Sequence, residues 1–424
     1  MSKLSKQEKS WVFYDWANSA YSILITTAIF PLYFKSAAEA AGLAATTSTK
    51  YWGFANSFAT LLISICAPIL GTIGDYRGFK KRFFTFFFAL GIVFTSLLVI
   101  VPHNQWLILL ICYMFTVIGF AGANIFYDAF LVDVTNEERM NRISSRGFAM
   151  GYIGSTIPFI ISIALIIMSQ QNVIPLSVTV ASQAAFGITA LWWGLFTIPM
   201  LKNVEQVYYV DRVPNPIASS FKRMLQTIKH IKAYRALFLF LLAYFFYIDG
   251  VDTVITMSTV YGTDLGISSQ NLLIILFATQ VVAAPFSILY GKLAEKFKGK
   301  TMLLIGIFVY IVICTYAYFL KTTLDFWILA MLVASSQGGI QALSRSYFAK
   351  LVPKENANEF FGFYNIFYKF AAILGPTLVG VTADLTGNTN SGVFSLIILF
   401  VIGGLILLRV PETSNKQSQR PISH

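Results

Sequence analysis

Charge is scarce in this chain: Asp, Glu, Lys and Arg make up 12% of its 424 residues, against 56% that are hydrophobic. A water-soluble globule has no interior for so many apolar side chains, so a soluble fold is excluded. Histidine is scarcer still. His103, His230 and His424 lie far apart, in a short loop, a basic connector and the chain end, so neither a metal cluster nor a histidine base emerges. The three cysteines, Cys66, Cys112 and Cys314, fall inside apolar runs, which argues against a disulfide framework. A Gly-x-x-x-x-Gly-Lys-Ser/Thr loop is missing too, which removes ATP as a direct energy source. No catalytic constellation, metal or cofactor is therefore expected, and the chain does not read as an enzyme.

What the chain has in abundance is long apolar runs. A helix needs roughly 20 residues to cross a hydrocarbon core ~30 Å thick. Hydropathy and polar breaks give about twelve such segments, so the fold class is all-α polytopic membrane protein with about twelve transmembrane helices. In the first half they lie near Trp11–Phe34, Trp52–Ile73, Phe83–Val101, Trp106–Val132, Gly147–Met168 and Val180–Leu201. The second six lie near Leu237–Val260, Leu272–Tyr290, Thr301–Leu320, Phe326–Phe348, Phe360–Val381 and Ser391–Leu408. The first run lacks a small-residue cleavage pattern and reads as a retained span, not a signal peptide.

Lys and Arg fall almost entirely on one side of this ladder. Basic residues such as Arg77, Lys80, Lys81, Arg139, Arg142, Arg146 and seven between Lys202 and Arg235 occupy alternate segments, leaving only Lys35, Lys50 and Lys321 for the opposite side. Positively charged segments stay cytoplasmic. Both termini are then expected inside a bacterial cell membrane, and the net charge of +12 reflects topology, with no call for a nucleic-acid partner. The expected domains are a six-helix half over 1–201, a basic connector over 202–235, a second six-helix half over 236–410 and a tail over 411–424. Within the connector, Ile217, Phe221, Met224, Leu225, Ile228 and Ile231 recur at helical spacing, with Lys222, Arg223, Lys229 and Lys232 on other faces. That pattern suits a helix on the anionic inner leaflet, with membrane lipids as partners, or equally one packed on the ends of the bundle.

Six charges sit inside the apolar runs: Asp15, Asp128, Asp249, Asp252, Arg345 and Lys369. A charge at bilayer depth costs roughly 2.5–3.5 kcal/mol on insertion scales, so such a set points to a polar interior and a transport pathway. Positions three or four apart share a helical face. Asp15 and Asn18 form one stripe, Asn124 and Asp128 another, Asp249 and Asp252 a third, Gln337, Gln341 and Arg345 a fourth, and Asn365 and Lys369 a fifth. Arg345 is expected to recognise an anion or carboxylate, and Lys369 either to do so or to brace the bundle. Asp15 and Asp249 lead as proton carriers, followed by Asp252 and Asp128. Tyr21, Tyr244, Tyr247, Tyr364 and Tyr368 are further candidates to line a pocket.

The halves also echo each other. Phe130, Glu137 and Pro158 align with Phe348, Glu355 and Pro376 at one constant offset, and the segment from Gly71 to Lys81 recurs from Gly291 to Lys300. The first copy, with Gly71, Asp75, Gly78, Lys80 and Lys81, resembles the signature loop of the major facilitator superfamily. Tyr76 departs from that pattern, and the second copy carries Glu295. The resemblance implies a major facilitator fold whose first, fourth, seventh and tenth spans line a central cavity, with Gly71, Asp75, Gly78, Lys81, Arg146, Gly291 and Glu295 expected to act in gating. Asp75 would hold helix ends together in one conformation. Four further segments, Tyr14–Tyr21, Ser144–Tyr152, Tyr247–Gly250 and Gln337–Ser346, resemble the vacuolar-effluxer branch of that superfamily. Its eukaryotic members release amino acids from the vacuole. The resemblance implies a monomeric secondary transporter for a small polar or zwitterionic solute, amino acids first, working by alternating access with possible proton coupling. Alternatives are an exporter of an amphipathic or lipid-like molecule and a non-transporting receptor or scaffold.

Overall fold

The computed structural model describes residues 3–229, 234–264, 266–371 and 373–411. His230, Ile231 and Lys232 of the connector, and the tail from residue 412 with Lys416, Arg420 and His424, lie outside the described residues. In chain order the helices are α1 (Lys6–Tyr21), a π-helical stretch (Ser22–Ala28), α2 (Phe30–Ala40), α3 (Ala45–Gly74), α4 (Phe79–Ile100), α5 (Trp106–Ala129), α6 (Leu131–Val134), α7 (Glu137–Gln170) and α8 (Val178–Asn203). There follow α9 (Pro216–Lys229), α10 (Arg235–Asp264), α11 (Ser269–Phe297), α12 (Gly299–Tyr318), α13 (Thr323–Leu351), α14 (Ala357–Ala371), α15 (Leu374–Thr386), α16 (Thr389–Ser395) and α17 (Ile397–Arg409). Among the described residues there is no strand beyond a single isolated bridge, Tyr76 to Val210.

Eleven helical segments are long and apolar enough to cross a membrane. The expected first span, Trp11–Phe34, is not among them, because α1 carries charges in its first turns and the helix widens into the π-helical stretch. There the Ile29 N–H bonds back to the Leu24 carbonyl, five residues earlier. Pro31 follows in the first turn of α2 and cannot donate to the regular ladder. The segment nevertheless packs within the bundle, α1 lying along α7 and α8.

Three other expectations change in detail. The fifth span was expected from Gly147, yet α7 starts at Glu137. Its N-cap Asn136 accepts the Arg139 N–H, and the charged first turns extend the helix beyond its apolar stretch. The eighth extends to Phe297, because its last turns, with Lys292, Glu295 and Lys296, continue the helix beyond its apolar stretch. The eleventh, expected as one helix over Phe360–Val381, is broken into α14 and α15. Pro376 lacks an N–H, and the Gly375 N–H bonds to the Asp249 carboxylate instead of to its own helix.

Small residues set the closest helix crossings. A Cβ on Gly119 of α5 would overlap the Gly91 backbone and the Phe87 carbonyl on α4. In a membrane such close approach supplies the packing that water-driven burial cannot. The α3–α14, α7–α11 and α7–α13 contacts join the first six spans to the last six.

Substituting Gly119→Val should force α4 and α5 apart. The expected cost is about 1–3 kcal/mol, seen as a lowered thermal unfolding midpoint of the detergent-purified protein.

Candidate functional site

The candidate charges fall into three separate arrangements, two built from the six charges of the apolar runs and one at the loop that carries Asp75. Arg345, on α13, forms the first. One guanidinium nitrogen lies 3.0 Å from Asp15 Oδ2 on α1 and the other terminal nitrogen 3.0 Å from Asp128 Oδ1 on α5. Nε donates to Ser144 Oγ at 2.9 Å, and Nη2 also donates to the Ser144 carbonyl at 3.1 Å on α7. The Trp11 and Phe148 rings cover the guanidinium, with centroids 4.6 and 4.5 Å away. Gly147 allows this approach, because a Cβ there would overlap Asp15 Oδ2. Arg345 is only 4% exposed. Expected at a substrate anion, it is saturated by groups of the opposite half.

Serines and Asn141 extend this junction. Ser144 Oγ donates to the Ala342 carbonyl, Ser346 Oγ to Asn141 Oδ1, and Ser287 Oγ to the Ser145 carbonyl. Gly291 packs directly on Ser145. Asp15 is legible in the sequence as a candidate group; its pairing with Arg345 on α13 is not.

Asp75 forms the second arrangement, just beyond the end of α3 and fully buried. Its Oδ1 accepts the Asn358 N–H and side-chain amide, each at 2.9 Å, at the start of α14. Arg223 of α9 reaches Asp75 Oδ2 at 2.7 Å and Glu359 Oε2 at 3.0 Å. The Arg223 side chain also donates to the Thr72 carbonyl. Gly71 lies against the Asn358 carbonyl, with no room for a side chain. Burial raises the Asp75 carboxyl from its ordinary value of 3.8 to about 7; Arg223, Lys80 and Asn358 oppose the shift and Glu359 adds to it. The connector clamps the loop: Gln206 donates to the Gly74 and Asp75 carbonyls and accepts the Gly78 N–H. Gly78 is required by its φ of 80°.

The other gating candidates are placed differently. Lys80, rather than Lys81, is buried, paired with Asp133 at 2.6 Å. Lys81 lines a basic cleft with Arg77 and Arg82. Arg146 is half-buried, with Glu8 and Glu295 among its charged neighbours. Glu295 itself is exposed, so the second copy of the loop has no counterpart of the Asp75 clamp.

The third arrangement is in the second half. Asp249 is fully buried, and both its oxygens lie 2.9 Å from the Gly375 nitrogen in the first turn of α15, where the helix dipole favours a carboxylate. Asp252 accepts the Tyr368 hydroxyl at 3.1 Å. Lys369 is half-buried over the Tyr368 ring, with Asp252 as its electrostatic neighbour but beyond ion-pair distance. Tyr364 stacks on Tyr244 with ring centroids 4.3 Å apart, and the Tyr368 ring lies 6.5 Å from that of Tyr244. Asn365 is nearby in sequence with an unpartnered Oδ1. Gln341 is half-buried, whereas Gln337 borders an apolar chamber. Asn18 and Asn124 bond to each other at 2.7 Å within the first half. Tyr21 is a core residue bonded to Thr116, and Tyr247, equally buried, bonds to Ser344. No group of metal-ligating side chains occurs among the described residues.

Comparison with known proteins follows the same lines. The profile of the family described as "Vacuole effluxer Atg22 like" matches residues 46–420. The chain is 65% identical to the MFS-type transporter YxiO of Bacillus subtilis (strain 168), covering 99% of this chain and 98% of that protein. It is 24% identical to Autophagy-related protein 22 of Kluyveromyces lactis, covering 86% and 80%. Among solved structures, the proton:xylose symporter XylE superimposes with a TM-score of 0.71 at 12% identity, over 96% of this chain and 95% of that one. The major facilitator transporter FucP does so with 0.69 at 14%, over 96% and 98%.

Two outcomes follow from these geometries. Arg345→Gln strands the buried Asp15 and the half-buried Asp128 carboxylates and should cost about 3 kcal/mol, whereas the triple variant Asp15→Asn/Asp128→Asn/Arg345→Gln should recover part of it, both read from thermal unfolding. For Asp75, a raised value means that closure of this end takes up a proton, so closure is fully favoured below the ordinary carboxyl value and weakens as pH rises through about 7. Interspin distances between labels at Glu138→Cys and Lys296→Cys, with the native cysteines replaced, should show more open molecules at about pH 8 than at about pH 5. Asp75→Asn should flatten that dependence.

Proposed function

The chain belongs to the vacuole effluxer Atg22-like family of major facilitator transporters, and from that premise we propose that it carries a small zwitterionic solute, amino acids first, by alternating access. It is a multi-pass integral membrane protein and a transporter, not an enzyme. The proposed moving units are 1–201 and 236–410. The observation that carries the substrate reading is the pair Asp252 and Lys369. Each is partly exposed, neither neutralises the other at ion-pair distance, and together they offer a cation and an anion site to one small molecule. In this reading Lys369, not Arg345, meets the solute carboxylate, and Asp252 with Tyr368 meets its ammonium.

Arg345 then acts as a lock. The inter-half bonds named above, at Arg345, Ser144, Ser287, Ser346 and Asp75, all lie toward the helix ends that carry the basic segments. With those ends cytoplasmic, the molecule is closed inside, and both termini lie in the cytoplasm of a bacterial cell. Opening inward separates Arg345 from Asp15 and Asp128, and leaves two carboxylates free to take protons as the guanidinium departs. This supplies a route for proton coupling through the same residues that close the gate. The family description "Vacuole effluxer Atg22 like" supports a solute-releasing direction.

A second reading rests on the apolar chamber of the second half, lined by Val254, Met257, Leu272, Phe326, Leu329 and Gln337. It suits an amphipathic cargo with an apolar portion.

Counterflow of a labelled amino-acid pool in proteoliposomes tests both. Exchange should be saturable and reduced about 10-fold or more by Lys369→Gln or Asp252→Asn, with a pH gradient accelerating flux. Absence of amino-acid exchange, with competition by lipids instead, would move the assignment to the second reading.

A further inference from the structure

The connector helix α9 meets the bundle by its polar edge. Ser220 is fully buried, Thr227 nearly so, and Arg223 between them reaches Asp75 and Glu359. Its apolar stripe is left outside. Ile217, Phe221, Leu225 and Ile228, spaced at one face of a helix, are 69%, 48%, 41% and 44% exposed. A helix packed only as a cover for the bundle would bury that stripe and expose Ser220 and Thr227. On the next face round stand Lys222 and Lys229, both exposed and without an acidic partner among the described residues.

Position decides what covers the stripe. The helix packs on α3 at the level of Thr72 and Asp75, where that span ends, and α10 begins at Arg235, just after α9. The middle of α9 is thus held at the level where α3 ends. Apolar side chains at that height, flanked by lysines, match the acyl and headgroup layers of an anionic leaflet.

We propose that α9 is seated in the anionic leaflet by its apolar stripe, and that this seating holds Arg223 on Asp75 and Glu359, so that the lipid surface strengthens closure of the basic end. The helix is a strap between bilayer and gate. Arg223 is its only guanidinium, and it joins the two halves by touching Asp75 of one and Glu359 of the other. Lifting the stripe from the membrane withdraws that bridge and leaves two buried carboxylates without their cation. Closure then loosens without any change in the solute site.

Hydrogen exchange on the full chain in nanodiscs, read by mass spectrometry, tests this independently of flux and of the substrate. In discs with roughly 30% phosphatidylglycerol, amides of 216–229 and of 71–78 should exchange about fivefold more slowly than in phosphatidylcholine alone. Phe221→Glu/Leu225→Glu should abolish the lipid effect in both segments. Arg223→Gln should keep it in α9 and lose it in 71–78, which separates seating from bridging. Equal exchange in both lipids would overturn the proposal. So would protection of α9 that grows with protein concentration, which would assign the stripe to a second copy of the chain, or survival of the 71–78 effect in Arg223→Gln.

Discussion

A guanidinium buried between two halves of a membrane protein is the constraint on which this structure turns. Arg345 is only 4% exposed, and an uncompensated ion so deeply buried costs several kcal/mol. It is tolerated because Asp15, Asp128 and both polar groups of Ser144 converge on it, and because aromatic rings close over it. Every one of these partners lies in the first half and Arg345 in the second. The electrostatic requirement of one side chain therefore becomes a requirement that the halves stay together at this end. Small residues make the meeting possible: Gly147 and Gly291 let helices approach until serine hydroxyls reach backbone carbonyls.

A second tie, outside the hydrocarbon, works by the same principle with a different balance. Asp75 accepts the first N–H groups of α14, so a carboxylate from one half caps a helix of the other, and Arg223 completes the charge balance. The two ties differ in their sensitivity. Arg345 stays charged at any accessible pH, whereas burial lifts the Asp75 carboxyl toward neutrality. The duplicated loop does not repeat this tie, since Glu295 is exposed.

Much of the fold was legible residue by residue. The apolar runs located the spans, and the basic segments marked one side, because the penalty for placing a charge in lipid is felt by each residue on its own. The breaks were less legible. The separation of the eleventh span into α14 and α15 depends on Asp249 taking the Gly375 N–H from a distant helix. Helix ends such as Glu137 ran past the expected boundary, since a capped charged turn is invisible to hydropathy. At the site, all six membrane charges were picked out, yet Ser144, Asn358, Glu359 and Lys80 were not assigned a role. No periodicity distinguishes a serine that donates across the halves from one that faces its own helix.

The sequence by itself determined which residues must find a polar environment, because desolvation acts locally and any Asp, Arg or Lys in an apolar run must be answered. Only the tertiary structure decided the answers. Asp15 and Arg345 are separated by 330 positions, and whether a guanidinium meets a carboxylate, a solute or another helix depends on angstrom-scale placement of spans that share no sequence pattern. Arg345 is saturated while Lys369 stands apart from Asp252. Packing geometry, not composition, made that distinction.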